Sequence, residues 1–266
     1  MTWQTTNYTT LQQMGDIFKT LFIEHPEWGQ MDWPLEGITA AQLLSNQIVV
    51  DYVWGERDVY TGSFSYPNGQ IIGTINRYES YYQNQLILVE TGAVSVDDYI
   101  NDTYITDFLY GSDENNWLDT YNALNADGKG GTDVIEIDFL NQQTISVWGG
   151  EGIDIFELTI NDQFSSPKSV VFKDYQPNEK LIFSDFDSLD ELLASITNVQ
   201  DNGNSWSVTF QNQVTLVFEN SSLAQLNIQN VLTGDAADQF ALENLPKLMG
   251  LTQQELISVF DNLMML

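Results

Sequence analysis

The chain has 266 residues, enough for one large or two small domains with a substantial hydrophobic core. Its 38 acidic and 8 basic residues give a formal charge of −30, which opposes binding to nucleic acid and anionic membrane surfaces and favours binding of cations. Cysteine is absent, so disulfides and thiolate metal sites are excluded. The hydrophobic content of 42% excludes a disordered acidic tail.

The N-terminal region, residues 1–104, is predicted to form an α+β module. Apolar residues at helical spacing indicate an amphipathic helix over residues 8–22, and a short helix is predicted over residues 40–44. Four strands are expected over residues 48–54, 59–66, 71–76 and 85–90. Pro67-Asn68-Gly69 carries a hairpin-turn signal, and Ser95 is placed to cap a short helix that ends at Ile100.

A glycine-rich nonapeptide in the middle of the chain carries the most specific signal. Residues 149–157 read GGEGIDIFE and fit every fixed position of G-G-x-G-x-D-x-U-x, where U is a large apolar residue. The glycines allow a tight turn with backbone carbonyls close to a cation, and Asp154 supplies the hard anionic oxygen that Ca²⁺ prefers. The pattern is typical of a calcium-binding parallel β-roll.

Two weaker copies of the nonapeptide lie upstream. The copy at residues 128–136 departs from the pattern only at Lys129, whereas the copy at 111–119 has Glu114 for glycine and Asn116 for aspartate. The starts lie at residues 111, 128 and 149, so their spacing is close to two nonapeptides. In a β-roll, two nonapeptides, or ~18 residues, return the chain to the same edge. We therefore expect the three glycine turns to stack on one edge. Ordinary Gly-Asp hairpin turns are the alternative interpretation.

Calcium is predicted to bind between the turns at residues 128–133 and 149–154. We expect carboxylate oxygens from two aspartates and backbone groups from six further residues: Asp133, Asp154, Gly128, Gly130, Gly131, Gly149, Glu151 and Gly152. The turn at residue 111 lacks its aspartate, so its site is expected to be weak or empty. Folding is expected to be coupled to calcium, with an affinity of roughly 10⁻⁴–10⁻³ M, as in extracellular modules.

The segments after the glycine turns follow a recognisable order. Residues 171–183 occupy the place of a segment D-F-x-x-G-x-D-K-I-x-L, with Asn178 for the glycine and Glu179 for the aspartate, and cap-like segments follow at 187–193, 206–210, 213–218 and 221–226. Residues 105–232 thereby resemble the RTX family of bacterial proteins exported by type I secretion. The roll and cap are similar to those of serralysin-type exoproteins, whose protease domain has no counterpart here.

The resemblance implies a mainly β fold with an α+β N-terminal module. A short, partly degenerate parallel β-roll over residues 105–183 precedes a β cap over 184–232 and C-terminal helices over 233–266. It also implies secretion through a type I exporter. Asp261 and the apolar residues that follow it to Leu266 are similar to an uncleaved export signal, although an amphipathic terminal helix is the alternative. No run approaches the ~20 apolar residues of a membrane span.

The function expected from these features is non-enzymatic, as an extracellular binding, adhesive or matrix component. His25 is the single histidine, so neither an HExxH zinc site nor a Ser-His-Asp triad of the usual kind is recognisable. A glycan-active enzyme with a carboxylate pair remains an alternative. A haem carrier is another, because residues 64–96 resemble part of the secreted haemophores, with Tyr66 at the ligand position. Clustered tryptophans leave glycan binding or self-association open as partner interactions.

Overall fold

The computed structural model describes residues 38–52, 55–67, 71–100, 104–139, 142–160, 164–237 and 239–240. The protein is mainly β, as the sequence predicts, and it divides after Asp107 into two compact units. In the described ranges, no helix has the length and apolar character needed to cross a membrane. The helix predicted over residues 8–22 and the chain after residue 240 lie outside these ranges.

The first unit is an antiparallel β-meander, in which each strand pairs with the next along the chain. Its strands are β1 Ile38–Leu43, β2 Gln47–Tyr52, β3 Glu56–Ser65, β4 Ile72–Tyr82 and β5 Gln85–Ser95. Helix α1, Val96–Ile100, follows β5, and its cap is confirmed because Ser95 Oγ accepts a hydrogen bond from the Asp98 backbone N–H at 2.9 Å. Residues from the strands, from the start of α1 and from the turn before β4 form a buried cluster: Leu43, Ile48, Val50, Tyr60, Phe64, Ile71, Ile75 and Val96.

The predicted short helix over residues 40–44 is wrong. These residues fall mostly in β1, which pairs with β2 along its length, from Ile38 opposite Tyr52 to Leu43 opposite Ile48. So short a helix gains little from its own hydrogen bonds, whereas pairing with β2 satisfies the backbone of the segment. Strand β2 follows β1 after a short loop at residues 44–46, so the two form a hairpin that the apolar periodicity of residues 40–44 alone does not reveal.

The second unit is a parallel β-roll, in which successive strands alternate between two sheets. One sheet contains β6 Phe108–Tyr110, β8 Asn125–Asp127, β10 Thr144–Trp148 and β12 Lys168–Phe172. The other contains β7 Trp117–Asp119, β9 Val134–Ile137, β11 Ile155–Leu158 and β13 Lys180–Phe183. Neighbouring strands are parallel in both sheets, so the chain winds as a coil with two turn-forming edges.

The chain that follows the roll closes its end. Helix α2, Leu189–Ala194, is capped at its N-terminus by Ser188, and an antiparallel set follows with strands β14 Ile196–Asp201, β15 Ser205–Phe210 and β16 Val214–Glu219. Strand β16 pairs with β12, and strand β17, Val231–Thr233, pairs with β13. Both sheets of the roll are thus extended by strands from this segment, which protects their edges.

Aromatic side chains between the sheets hold the strands in register. Val147, Phe172, Phe218 and Trp206 are successive partners across β10, β12, β16 and β15. The Phe172 and Phe218 rings stack with centroids 4.5 Å apart, and the Trp206 and Phe218 rings stack at 4.0 Å. Phe156 from the facing sheet meets Phe172 edge-on at 5.1 Å. Because this packing fixes the strands, the turns that connect them are also held in register.

Candidate metal site at the first edge of the roll

Four turns form what we call the first edge of the roll, at residues 111–116, 128–133, 149–154 and 173–179. Each turn ends in one polar residue directly before a strand of the second sheet: Asn116, Asp133, Asp154 and Glu179. The partners Trp117, Val134, Ile155 and Lys180 are in register across β7, β9, β11 and β13, so the preceding polar residues form a column. The stacking predicted from the repeat spacing is therefore observed.

The column contains carboxylates that are completely buried. Asp133, Asp154 and Glu179 are all 0% exposed. One oxygen of each is hydrogen-bonded: Asp133 Oδ1 accepts from the Asn116 N–H at 2.7 Å, and Asp154 Oδ1 accepts from the Asp133 N–H at 2.9 Å. Glu179 Oε2 accepts from the Gln176 N–H at 2.7 Å.

The second oxygen of each buried carboxylate has no hydrogen-bond donor among the residues that the structure describes. These atoms are Asp133 Oδ2, Asp154 Oδ2 and Glu179 Oε1. Leaving a charged buried acceptor unsatisfied costs about 1–3 kcal/mol or more, because the group has lost its water and gained nothing in exchange. A bound cation or a proton is needed to remove this cost.

The unsatisfied oxygens border space that glycine leaves free. A Cβ on Gly128 would lie 2.3 Å from Asp133 Oδ2 and 2.5 Å from the Gly149 carbonyl oxygen. A Cβ on Gly149 would lie 2.3 Å from Asp154 Oδ2. No real side chain tolerates these distances, so glycine is required at both positions. We refer to this oxygen-lined space as the glycine cradle.

The other predicted site residues bring neighbouring turns together. Gly130 and Glu151 form a parallel bridge, and the Glu151 N–H donates to the Lys129 carbonyl at 2.8 Å. The Glu151 side chain is exposed, and we expect its backbone carbonyl to be the group that binds the metal. The Gly131 carbonyl oxygen lies 1.6 Å from the position that a Cβ on Gly152 would take, so these two glycines permit the close approach of the turns.

Burial makes the three carboxyl groups weak acids in the absence of metal. Loss of solvent, with a smaller contribution from the neighbouring Asp154 charge, raises the pKa of Asp133 to about 8. Burial also raises the pKa of Glu179 to about 8 and shifts the pKa of Asp154 upward. Protons and cations therefore compete for the same oxygens at neutral pH.

Two residues of this edge were missed as candidates by sequence reasoning. Glu179 was visible only as the aspartate substitute in the segment after the roll, and the column shows that it continues the series of buried carboxylates. Asp174 closes the adjacent turn, since its Oδ1 accepts from the Gly149 N–H at 2.9 Å and its Oδ2 from the Gly150 N–H at 3.1 Å. No glycine motif marks this turn, so its alignment with the others depended on the fold.

The turn at residue 111 has the same shape without the charge. A Cβ on Gly111 would lie 2.5 Å from Asn116 Oδ1 and 2.5 Å from the Gly128 carbonyl oxygen. Asn116 Oδ1 also accepts a hydrogen bond from the Ser112 N–H at 2.6 Å. A neutral amide thus occupies the position that the aspartates take in the following turns, and the weakness of this site stays a prediction.

The donor set suits calcium better than transition metals. Within the described ranges, no three or more His, Asp or Glu side chains gather as a metal-binding group. The glycine cradle instead combines one carboxylate per turn with backbone carbonyls. Such a set of oxygens fits Ca²⁺, which accepts six to eight oxygen ligands at about 2.3–2.6 Å, and it lacks the nitrogen ligands that zinc and copper favour.

The proposed haem ligand, Tyr66, already uses its hydroxyl group in a hydrogen bond. The Tyr66 hydroxyl donates a hydrogen bond to the Leu44 carbonyl oxygen at 2.6 Å. A tyrosinate ligand would have to give up this bond and lose its proton. His25 lies outside the described residues.

Comparison with known proteins finds likeness among solved structures. No protein-family model and no curated protein matches the chain. Among solved structures, the chain is similar to the extracellular lipase LipA from Serratia marcescens, with 10% sequence identity and a TM-score of 0.26. The similar region covers 75% of this chain and 31% of the lipase, so the chain spans about a third of that protein. So loose a likeness carries no conclusion about activity.

Proposed function

We propose that this chain is a secreted calcium-binding protein of the RTX type, in which Ca²⁺ occupies the first edge of the roll. The observation that supports this most directly is the pair of buried oxygens, Asp133 Oδ2 and Asp154 Oδ2, which border the glycine cradle without a hydrogen-bond donor. A divalent cation neutralises both and uses the backbone carbonyls beside them as further ligands.

The proposed site lies between the turns at residues 128–133 and 149–154. Its donors are two carboxylates and four backbone carbonyls: Asp133, Asp154, Gly128, Gly130, Gly149 and Glu151. Gly131 and Gly152 contribute by allowing the turns to stack closely. Glu179 continues the same column one turn further, so a second cation between Asp154 and Glu179 is part of the proposal.

Calcium binding in this arrangement is coupled to folding. The formal charge of −30 opposes compaction, and the buried carboxylates add a local cost until a cation is bound. A ligand that binds the folded state alone stabilises it by mass action. With an affinity of roughly 10⁻⁴–10⁻³ M, the roll stays loose at cytosolic calcium levels and orders itself outside the cell.

Two glycines of one turn provide a matched test. Gly128→Ala places a methyl group in the glycine cradle, whereas a Cβ on Gly130 has its nearest neighbour at an ordinary 3.6 Å, the Asp113 Cα. Both variants keep every backbone carbonyl. Calorimetric titration with CaCl₂ is expected to show binding for the wild type and Gly130→Ala and a loss of at least tenfold in affinity for Gly128→Ala. Equal binding by the two variants would contradict a site in the cradle.

The role we propose for the ordered protein is non-enzymatic, as an extracellular binding, adhesive or matrix component exported through a type I exporter. This part rests on the RTX resemblance and on the lack of a recognisable catalytic motif in the sequence, and the lipase activity of LipA is not carried over. Sedimentation velocity with added Ca²⁺ and binding to a carbohydrate array separate self-association from glycan recognition. If the calcium-loaded protein shows neither self-association nor glycan binding, the adhesive role has no support.

A further inference from the structure

The opposite edge of the roll has a different chemistry. The turns after β7, β9 and β11, which lead from the second sheet back to the first, form what we call the second edge. Among the residues that the structure describes in these turns, several carbonyl oxygens accept hydrogen bonds from side-chain nitrogens. Gln142 is 3% exposed, and its Nε2 donates to the carbonyls of Thr120, Tyr121 and Ala123 at 3.2, 2.7 and 3.1 Å.

The next contact along the second edge is made by a buried ammonium group. Lys168 is 8% exposed, and its Nζ donates to the Gln142 backbone carbonyl. The same Nζ lies 5.3 Å from the centre of the Phe139 ring and 5.5 Å from that of Phe164. Two aromatic faces and a carbonyl dipole thus surround the charge. Such groups stabilise a desolvated cation.

A third side-chain donor serves the following turn. Asn212, from the turn before β16, donates its Nδ2 hydrogen to the carbonyl oxygen of the buried Ile160. Each of three successive turns therefore has carbonyls bonded to a side-chain nitrogen that comes from a later segment of the chain. Converging carbonyl oxygens are otherwise the groups that attract a cation.

We propose that side-chain nitrogens of Gln142, Lys168 and Asn212 take the place of metal ions at the second edge, so that the roll needs calcium at its first edge only. The Lys168 ammonium then acts as a covalently attached cation. The consequence is a roll in which one edge responds to calcium and the other holds the coil together without it.

Lys168→Ala tests the ammonium group, with Lys173→Ala as the matched control. Lys173 directly follows the other end of β12, is partly exposed and forms an ion pair with Glu219 at 3.0 Å. Removing the buried donor is expected to lower the melting temperature by about 4–10 °C, equally in EDTA and in Ca²⁺.

Methylammonium chloride is expected to restore part of this loss relative to NaCl, because it can occupy the vacated space. The melting temperature of Lys173→Ala is expected to be the same in both salts. A Lys168→Ala protein that melts like the wild type, or that responds to methylammonium as Lys173→Ala does, overturns the proposal.

A variant designed to create a calcium site tests independently the three carbonyls that Gln142 contacts. In Gln142→Glu, a carboxylate oxygen replaces the nitrogen that faces three carbonyls, and four oxygens then converge. We expect calorimetry with CaCl₂ to show one additional bound ion relative to Gln143→Glu, which adds the same charge at the adjacent, exposed position. Equal stoichiometry in the two variants counts against the second edge as a substituted cation site. These outcomes are read as differences between variants, so they remain interpretable if the first edge of the wild type binds no calcium.

Discussion

The backbone N–H of Asp133 donates to Oδ1 of Asp154 at 2.9 Å, although the two residues are 21 positions apart in the chain. The same atom pattern links the Asn116 N–H to Asp133 Oδ1 at 2.7 Å. Each carboxylate is thereby anchored through one oxygen to the turn before its own and keeps the other oxygen for the glycine cradle. This geometry orients the free oxygens before any cation arrives, which lowers the reorganisation needed on binding.

Asp154→Asn is expected to separate the cost of the buried charge from the benefit of calcium. Asparagine keeps an oxygen for the Asp133 N–H but removes the charge, so the variant is expected to melt at or above the wild-type temperature in EDTA. It is also expected to lose most of the stabilisation by Ca²⁺, which for a wild-type site at 100 times Kd is about 2.7 kcal/mol. Thermal melting in EDTA and in CaCl₂ measures both effects.

The control for this variant is Asp190→Asn, which removes one charge at an exposed position of α2. It is expected to leave the calcium-dependent stabilisation unchanged. If both aspartate variants retained the full calcium response, Asp154 would not be a ligand.

The metal-free protein is expected to lose stability as the pH rises. The pKa values of Asp133 and Glu179 are raised to about 8 in the folded state, well above the values of about 4 in an unfolded chain. Between pH 4 and 8 the folded state therefore binds more protons than the unfolded state, and stability in EDTA declines across this window. Stabilisation by calcium is expected to grow over the same window, because protons leave the ligands.

Melting temperatures at pH 5, 6, 7 and 8, in EDTA and in CaCl₂, check this behaviour. General repulsion among 38 acidic residues gives a decline of the same sign, so a control is needed. The double variant Asp133→Asn/Glu179→Gln removes the two carboxyl groups whose pKa is raised to about 8, and it is expected to reduce the decline in EDTA above pH 5. An unchanged slope would assign the pH dependence to the other acidic groups instead.

How much of this site could be predicted from the sequence depends on how local each signal is. Asp133 and Asp154 could be assigned because the nonapeptide fixes their place relative to the glycines of the same turn. Glu179 could not, since its turn lacks the glycines and its alignment with Asp154 depends on the pairing of β11 with β13. Gln142 and Lys168 carry no motif at all, because their partners are carbonyls of turn residues that lie 19 to 26 positions earlier in the chain.

Lys129 is expected to be a strained position that glycine would relieve. It occupies the second place of its nonapeptide with φ = 77°, where the next turn has Gly150 with φ = 93°. Most side chains avoid this left-handed conformation at a cost of about 1–2 kcal/mol. We expect Lys129→Gly to be more stable than Lys129→Ala by about 1 kcal/mol, because both lose the ion pair with Asp127 and the contact with the Tyr110 ring, and only glycine removes the strain.

Urea unfolding of the two Lys129 variants measures this difference. At a turn without strain the order is reversed, since glycine increases the entropy of the unfolded chain and costs about 0.4–1 kcal/mol relative to alanine. An alanine variant as stable as the glycine variant, or more stable, would show that the turn accommodates a side chain freely.

Asn116→Asp is expected to restore a calcium site to the most degenerate turn. The amide oxygen of Asn116 already lies beside the Gly128 carbonyl, at the place that Asp133 Oδ2 takes relative to the Gly149 carbonyl in the next turn. A carboxylate there keeps the acceptor for the Ser112 N–H and adds the charge that a cation requires. Calorimetry is expected to show one more bound Ca²⁺ than in the wild type, together with lower stability in EDTA.

The control is Asn115→Asp, which adds the same charge one residue earlier, outside the column, and is expected to bind no further ion. A stoichiometry that rises equally in both variants would mean that added charge alone, and not the stacked turn, recruits the metal.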